Sequence, residues 1–315
     1  MPMKTAVYRC PKGIIVSPRF NRYKEKSGEV MNLFRELTGL VEPLSMDEAY
    51  LDITAAVEAG QKPLAVALDL KARVFAVTGL VVSVGVGTCK TVAKIGSDLD
   101  KPDGLVVVQP GDEAEFLAPL AVNKLWGIGP KTAERLYKDG IETIGELADQ
   151  PLAWFAKMFG KRATNVRDKA MGLDDDAVHT HSATKSISSE STFANDLGGE
   201  EELRDVVERK AVGVAHQLEK ANLKGRTVKL KLRLADFTTF ARQVTLPYHT
   251  DAEDPIKEAA WALLEAELEP GRTFRLIGVG VANFEDESEN ELQTEEKERQ
   301  LSLFTDGSLP VDVTD

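Results

Sequence analysis

Two adjacent acids, Asp47 and Glu48, stand inside the stretch LSMDEAYLDI at residues 44–53, which otherwise has the composition of β-structure. Successive side chains on a strand point to opposite faces, so two neighbouring acids would place one carboxylate in the core. A buried carboxylate is costly unless it is paired or bound to a metal. This pattern favours two short strands, 41–46 and 49–53, that meet in a tight hairpin with both acids at its tip.

A hairpin tip lets both carboxylates converge, because the alternation of the pleat is interrupted there. Two nearby carboxylates can bind Mg²⁺, a hard cation that prefers oxygen ligands and often shares them with substrate phosphates. The same acids also suit a solvated tip that binds nothing. From this stretch alone the solvated tip is the simpler interpretation, and a magnesium site depends on what the rest of the chain adds.

Helices and strands alternate around this hairpin. Residues 18–38 and 91–99 have a helical apolar spacing, whereas 80–87 and 105–108 are short apolar runs typical of buried strands. A further helix is expected over 63–77. Its apolar face is predicted to consist of Leu64, Ala67, Leu68, Val74 and Phe75. The resulting order ββαβαβ predicts one sheet with helices packed on one face, an α+β arrangement.

The rest of the chain predicts further domains. Residues 112–175 are helical in pattern, and strand patterns follow, with helical stretches near 200–221 and 255–268. A length of 315 residues with 43% hydrophobic content is enough for two or three domains. The chain has no run of 18 apolar residues and no signal-like start, so we expect a soluble, cytoplasmic protein. Cys10 and Cys89 form no CxxC pair, which argues against a disulfide framework or a zinc site.

The formal net charge of −12 is unevenly distributed. Residues 285–315 hold eleven acids against two bases, a net of −9, which leaves only −3 for residues 1–284. We expect the acidic segment to be a disordered linker. The body can still present a basic face, so the net charge does not exclude nucleic acid as a partner.

The stretch LWGIGPKTAERLYKDGIETIGELAD, residues 125–149, predicts helices joined by glycine turns. Gly127 and Gly129 allow a backbone to approach a partner closely, and the helix that begins at Pro130 offers free N–H groups to a phosphate. Lys131 adds a positive charge to its first turn. The pattern indicates a helix-hairpin-helix, a clamp on the DNA backbone that does not depend on base sequence. The alternative is an ordinary pair of helices with glycine turns.

The run TVKLKLRLAD, residues 227–236, alternates between apolar and basic side chains. Lys229, Lys231 and Arg233 therefore point to one face of a predicted strand. Residues 222–243 contain six bases against one acid, so this face is expected to be cationic and to suit a phosphate backbone. A solvated strand that uses lysines to prevent edge aggregation explains the pattern equally well.

The turn KPDG at 101–104 places Lys101 after a helix and beside a strand. A lysine there can hold a triphosphate as a point charge, although surface turns often contain lysine.

The pentapeptide QLSLF at 300–304 is apolar within an acidic segment. We interpret it as a docking peptide for a groove on a partner, against the alternative of an apolar end that folds back. The docking residues are Gln300, Leu301, Leu303 and Phe304.

Together these motifs resemble the Y-family translesion DNA polymerases, specifically the bacterial DNA polymerase IV class. EPLSMDEAYLDIT resembles the family's palm hairpin, AKIGSDLDKPDG its nucleotide-binding turn, and KLWGIGPKTAERLYKDGIETIGEL its thumb. KSISSESTF and GRTVKLKLRLADF resemble its little finger, and QLSLF resembles its sliding-clamp peptide. The resemblance extends in order from residue 1 to residue 304.

The resemblance implies a reaction and its participants. Asp47 is similar to the palm aspartate that binds the family's two Mg²⁺ ions, and Glu48 to the acid that completes the active site. Two ions would lower the charge on the attacking 3′-hydroxyl and the leaving pyrophosphate, while Lys101 would steady the triphosphate. The implied activity is error-prone, template-directed nucleotide addition past damaged bases. Its implied partners are primer–template DNA, deoxynucleoside triphosphates and the replication sliding clamp, and we expect a monomer without membrane association.

A right-hand α+β multidomain architecture with a disordered acidic C-terminal tail follows from the same resemblance. The expected segments are a fingers remnant at 1–17, a catalytic palm at 18–116, a thumb with the helix-hairpin-helix at 117–180, a linker at 181–186, a DNA-binding little finger at 187–284 and the tail at 285–315.

The chain departs from the family at its start and at Cys89, where the family often has a polar residue. MPMKTAVYRCP resembles the family partway into the fingers, so the first palm strand with its metal-binding aspartate and several nucleotide-contacting residues have no counterpart. We therefore expect a weak polymerase at best, with a strained palm. The alternatives are a non-catalytic remnant that binds DNA and the sliding clamp, and a metal-dependent nuclease that uses Asp47 and Glu48.

Overall fold

The computed structural model describes residues 1–181 and 183–285. The chain divides into two units, Met1–Ser182 and Ala183–Asp315. The acidic segment after Glu285 and the QLSLF peptide lie outside the described residues. Within the part that is described, no helix combines the length and the apolar character needed to span a membrane.

The first unit alternates helices with four short strands. The helices are α1 (Met3–Arg9), α2 (Phe20–Leu37), α3 (Thr54–Glu58), α4 (Pro63–Thr78), α5 (Lys90–Leu99), α6 (Glu113–Leu117), α7 (Pro130–Lys138), α8 (Ile144–Ala148), α9 (Leu152–Phe159) and α10 (Ala163–Ala170). The strands are β1 (Val41–Pro43), β2 (Ala49–Leu51), β3 (Val84–Val86) and β4 (Leu105–Val107). The helices predicted over 18–38, 63–77 and 91–99 are confirmed to within two residues at each end.

The four strands form two separate two-stranded sheets, so the prediction of one continuous sheet is wrong. Strands β1 and β2 are antiparallel, whereas β3 and β4 are parallel, as expected of two strands that are connected through a helix. The predicted strand 80–87 is paired only over 84–86. Polar groups of the two residues just before this paired segment form hydrogen bonds outside the strand ladder. Lys71 Nζ donates to the Val82 carbonyl at 2.6 Å, and Ser83 Oγ accepts from the Gly104 amide at 3.1 Å.

Helix α4 packs with a face that differs from the predicted one. Ala67 and Val74 are buried as predicted, and Val74 belongs to a core shared with α2 and β1. Leu64, Leu68 and Phe75, however, are 49%, 51% and 59% exposed. The helix is apolar around most of its circumference, so its periodicity does not identify which face is buried.

A second core joins α5 to the helices that follow it. Val92 and Ile95 of α5 are buried together with Leu117, Leu136 and Phe155 from the helical segment that begins at α6. The all-helical prediction for 112–175 is confirmed by α6 to α10. Helix α5 is therefore held on one side by β3 and β4 and on the other by these helices, which makes it a rigid support for side chains near the hairpin.

The second unit is a four-stranded antiparallel sheet covered by two helices. Its elements are β5 (Ser186–Leu197), α11 (Glu200–Ala221), β6 (Gly225–Leu234), β7 (Thr239–Thr250), α12 (Glu253–Glu265) and β8 (Phe274–Phe284). The strand order is β5-β8-β6-β7, and every neighbouring pair is antiparallel. Leu230 and Leu232 of β6 are fully buried in the core with residues of α11 and α12. The other face of the sheet therefore carries the basic side chains of β6.

Candidate active site and nucleic-acid surfaces

The hairpin between β1 and β2 carries both acids, as the interrupted pleat predicts. The amides of Leu44 and Ser45 donate to the Glu48 carbonyl at 2.9 Å and 3.3 Å, which closes the connection. Asp47 is exposed at the tip, and its Oδ1 accepts a hydrogen bond from Ser45 Oγ at 2.5 Å. Ser45 therefore orients Asp47, whereas Glu48 is oriented by a residue of α5.

Glu48 of the hairpin begins a row of alternating charges that continues on α5 and ends in the turn after it. We name it the ion-pair row, and it consists of Glu48, Lys94, Asp98 and Lys101. Lys94 Nζ lies 2.9 Å from Glu48 Oε1 and 2.8 Å from Asp98 Oδ2. Lys101 Nζ lies 2.6 Å from Asp98 Oδ1. The structure thus connects Glu48 and Lys101, two residues predicted from sequence, through two residues that sequence reasoning missed. Lys94 and Asp98 are four positions apart on α5, and Lys101 follows three positions later in the turn after it, so this spacing is the signal that points to the row.

The charges of the row reinforce one another. Burial acts to lower the pKa of Lys94, but hydrogen bonds with Asp98 and Glu48 outweigh it and hold the pKa above its ordinary value. Burial acts to raise the pKa of Asp98, but the bonds from Lys101 and Lys94 hold that pKa below its ordinary value. Both groups are therefore charged at neutral pH.

The turn that contains Lys101 is fixed by Lys71 of α4. Lys71 Nζ donates to the Asp103 carbonyl at 2.9 Å, to Asp103 Oδ1 at 2.7 Å and to the Gly104 carbonyl at 3.1 Å. The Lys101 side chain is 54% exposed at the start of this turn. A lysine on an anchored turn can reach a phosphate while its backbone stays in place, provided that the phosphate displaces its partner Asp98.

The hairpin acids fit a magnesium ion that is completed by substrate. In residues 1–181 and 183–285 no group of three or more Asp, Glu, His or Cys side chains is arranged to hold a metal ion. Magnesium is, however, commonly bound through one or two carboxylates together with substrate phosphates and water. Asp47 and Glu48 supply two such carboxylates, so the donor chemistry and number suit that mode of binding.

A polar cluster surrounds the buried Lys90. We name it the Lys90 cluster, and it consists of Glu42, Tyr50, Lys90 and Asp176. Lys90 is 8% exposed, and its Nζ lies 2.6 Å from Glu42 Oε2, 3.1 Å from Asp176 Oδ2 and 5.5 Å from the ring centre of Tyr50. Burial raises the pKa of Tyr50 to about 12. The cluster ties β1 and β2 to the start of α5, which holds the hairpin against the helix that carries the ion-pair row.

The glycine loop before α7 has the geometry predicted for a helix-hairpin-helix. Gly127 has a φ of 95°, which favours glycine, and Gly129 is the N-cap of α7 in an extended conformation. Lys131 is exposed in the first turn. A second turn, at Gly140 with a φ of 78°, leads to α8. The amides at the start of α7 thus follow a loop in which the two glycines alternate with the exposed Trp126 and the buried Ile128.

The open face of the second unit's sheet carries the predicted basic residues. Lys229 is exposed opposite Gly280 of β8, and Lys231 lies opposite Gly278. A Cβ at Gly278 would lie 2.8 Å from Glu190 Cβ, so Glu190 of β5 packs close to this glycine. We name the two positions without side chains, Gly278 and Gly280, the floor of β8. Sequence reasoning missed this floor, because it depends on the strand order.

Two of the three predicted bases on this face already have polar partners. Lys231 Nζ lies 2.8 Å from Glu190 Oε2 of β5, and Arg233 Nε donates to Thr239 Oγ1 at 2.7 Å. The face is therefore less cationic than the sequence of β6 alone suggests, because β5 brings an acid onto it.

Family profiles match three consecutive parts of the chain. The impB/mucB/samB family matches residues 1–98, the IMS family HHH motif matches 110–141, and the impB/mucB/samB family C-terminal domain matches 184–303. The matched HHH segment contains the glycine loop and α7.

Individual proteins are similar over nearly the whole chain. DNA polymerase IV 2 of Agrobacterium fabrum is 37% identical over 307 residues, which cover 96% of this chain and 84% of that protein. DNA polymerase IV of Halorhodospira halophila is 38% identical over 305 residues, with coverages of 96% and 83%. Among solved structures, a Y-family DNA polymerase chimera of Dbh and Dpo4 matches with a TM-score of 0.82 and 26% identity, over 90% of this chain and 82% of that one. The chain therefore belongs to the impB/mucB/samB family of Y-family DNA polymerases.

Proposed function

We propose that this chain adds deoxynucleotides to a primer 3′ end in translesion synthesis, with Asp47 and Glu48 as its metal-binding acids. The observation that carries the proposal is the ion-pair row. In this row, successive contacts of 2.6–2.9 Å link a carboxylate that can hold a divalent cation to a lysine that can hold a phosphate. A nucleoside triphosphate that binds as its magnesium complex needs both groups together.

Each residue of the site has a defined part in this proposal. A pair of Mg²⁺ ions, when bound, would supply the charge neutralisation that the attacking and leaving oxygens need. Asp47, oriented by Ser45, and Glu48, oriented by Lys94, supply the carboxylate oxygens. Lys101 binds the triphosphate as a point charge. Positioning and charge neutralisation account for most of phosphoryl transfer, so few protein groups are required.

Two surfaces are proposed to hold the DNA. The loop with Gly127 and Gly129, together with Lys131, offers backbone amides and one positive charge to a phosphate. The face with Lys229, Lys231 and Arg233 borders the floor of β8, where a phosphate backbone can approach the sheet closely. Both surfaces contact phosphates, so we infer binding that depends on salt and little on base sequence.

The assignment of domains along the chain is also a proposal. We assign the palm to 18–116, the thumb to 117–180 and the little finger to 187–284, with fingers residues before them. QLSLF, which lies outside the described residues, is proposed to dock on the replication sliding clamp. The simplest proposal that fits this assignment is that the protein is a monomer and acts in the cytoplasm.

Primer extension tests the function directly. We expect slow, template-directed extension that requires Mg²⁺, because the described site supplies two carboxylates. Asp47→Asn should abolish it, whereas Asp69→Asn, which changes an exposed acid on α4, should leave it unchanged. Equal extension by wild type and Asp47→Asn would contradict the assignment of the metal site.

Two other outcomes would replace the proposal. A chain that binds primer–template but extends nothing would be a non-catalytic protein that binds DNA and the sliding clamp. Degradation of DNA without added nucleotides would indicate a nuclease at the same acids.

A further inference from the structure

Lys94 occupies a central position in the ion-pair row. Its Nζ lies between two acids, 2.9 Å from Glu48 Oε1 and 2.8 Å from Asp98 Oδ2, and its side chain is only 16% exposed. Asp98 in turn serves two lysines, because its other oxygen lies 2.6 Å from Lys101 Nζ. Lys94 and Asp98 therefore each contact two oppositely charged groups of the row, whereas Glu48 and Lys101, at its ends, each contact one.

We propose that Lys94 is a positioning residue that fills the cation position at Glu48 until a divalent cation displaces it. The displaced ammonium then rests on Asp98 alone and weakens the hold of Asp98 on Lys101. Lys101 thereby becomes free to bind a triphosphate. This inference rests on the proposed function, since it assigns Glu48 to the cation and Lys101 to the nucleotide.

The physical argument is competition between two cations for one carboxylate group. An ammonium and a divalent cation both bind carboxylate oxygen, and two positive charges cannot share it without strong repulsion. In the absence of a cation, Lys94 also prevents Glu48 and Asp98 from repelling each other. The cost of displacing Lys94 is limited because Asp98, four residues along the same helix, retains it.

The row also predicts coupling between the two ligands. If a cation shifts Lys94 towards Asp98, the cation assists triphosphate binding, and by reciprocity the triphosphate assists cation binding. The two ligands are then favoured as a complex over either one alone.

Manganese binding provides a test that does not depend on catalysis. Electron paramagnetic resonance can measure the Kd for Mn²⁺ on the full chain without DNA or nucleotide. Lys94→Gln removes the competitor and should tighten binding by about fivefold or more, the scale of a typical coupling between sites. Lys62→Gln removes the same charge at an exposed position outside the row, at the N-cap of α4, and should change the Kd by less than about twofold. Lys94→Arg, which keeps the charge, should bind Mn²⁺ as wild type does.

The outcomes separate this inference from the proposed function. Equal tightening by Lys94→Gln and Lys62→Gln would show an effect of net charge alone and overturn the inference. Mn²⁺ binding that Asp47→Asn removes but Lys94→Gln leaves unchanged would overturn the inference and leave the proposed metal site intact. A wild-type chain that binds no Mn²⁺ would overturn both. If Lys94→Gln fails to fold, a shift of the Lys94 ammonium signal on Mg²⁺ titration of the wild-type chain, followed by NMR, tests the same displacement, and an unmoved signal overturns it.

Discussion

Gly85 of β3 packs so closely against Ala93 of α5 that a Cβ added at Gly85 would lie 2.0 Å from the Ala93 carbonyl oxygen. Only a glycine allows this approach, because the clash is with backbone and not with the end of a flexible side chain. Helix α5 carries Lys90, Lys94 and Asp98, so this contact sets the position of the Lys90 cluster and of the ion-pair row. The glycine thus has a role in the site without contacting any ligand.

Gly85→Ala should destabilise the first unit by about 1–3 kcal/mol, since it overpacks a close contact. Gly28→Ala is the matched control, because Gly28 is exposed within α2 and a Cβ there would contact nothing within 4 Å. In a helix interior that change should stabilise by roughly 0.5–1 kcal/mol. Urea unfolding of both variants measures the difference, and the same sign for both would contradict the packing argument.

The hairpin acids could be predicted from sequence, whereas their partner could not. Asp47 and Glu48 interrupt an apolar run, and the rule of alternating faces places them at a turn. Lys94 is 46 positions away from Glu48, so their ion pair depends on how α5 packs beside the hairpin. Local spacing reveals the helical part of the row but not the contact that gives it a function.

The buried face of α4 shows a related limit. Leu64, Leu68 and Phe75 have suitable spacing for a buried face, yet they are exposed, while Val66 and Leu70 are buried. A helix that is apolar on several sides gives a periodicity that fits more than one orientation. The choice between orientations is made by α2, through contacts that no local pattern contains.

Glu42→Gln should destabilise the chain at neutral pH by about 2 kcal/mol, the scale of a hydrogen bond to a charged group. Burial acts to raise the pKa of Glu42, but hydrogen bonds from Lys90 and from the His179 amide hold it below the ordinary value of 4.5. The folded pKa is lowered, so the stabilisation is fully present above about pH 4.5 and is lost as the pH falls through the folded pKa. Asp176 and Tyr50 also lie next to the Lys90 ammonium that holds Glu42.

Urea unfolding at several pH values checks this prediction. The difference between wild type and Glu42→Gln should be largest near pH 7 and should shrink below about pH 4 as wild-type Glu42 is protonated. Asp69→Asn, which changes an exposed acid, should follow wild type throughout. A difference that stays constant down to pH 3 would mean that the variant acts through packing and not through the charge of Glu42.

Glu190→Gln should tighten binding to DNA by up to about fivefold, because it frees Lys231 from an exposed ion pair worth at most ~1 kcal/mol. Lys229→Gln should weaken binding and reduce the slope of log Kd against log salt by about 0.9, the value for one lost phosphate contact. Fluorescence anisotropy over a salt series measures both effects. Unchanged affinity and slope in both variants would remove this sheet face from the DNA-binding surface.

Gly129→Ala separates DNA contact from folding in the glycine loop. Gly129 has a φ of −78°, and a Cβ there would meet nothing within 4 Å, so alanine fits the folded chain without strain. Gly127, in contrast, has a φ of 95°, and alanine there should cost about 1–2 kcal/mol of stability. If a phosphate approaches the amides at the start of α7, the methyl group of Gly129→Ala should obstruct it and weaken DNA binding, while the poorer N-cap costs no more than about 1 kcal/mol of stability. DNA affinity equal to that of wild type would show that this loop is an ordinary helix connection and not a clamp.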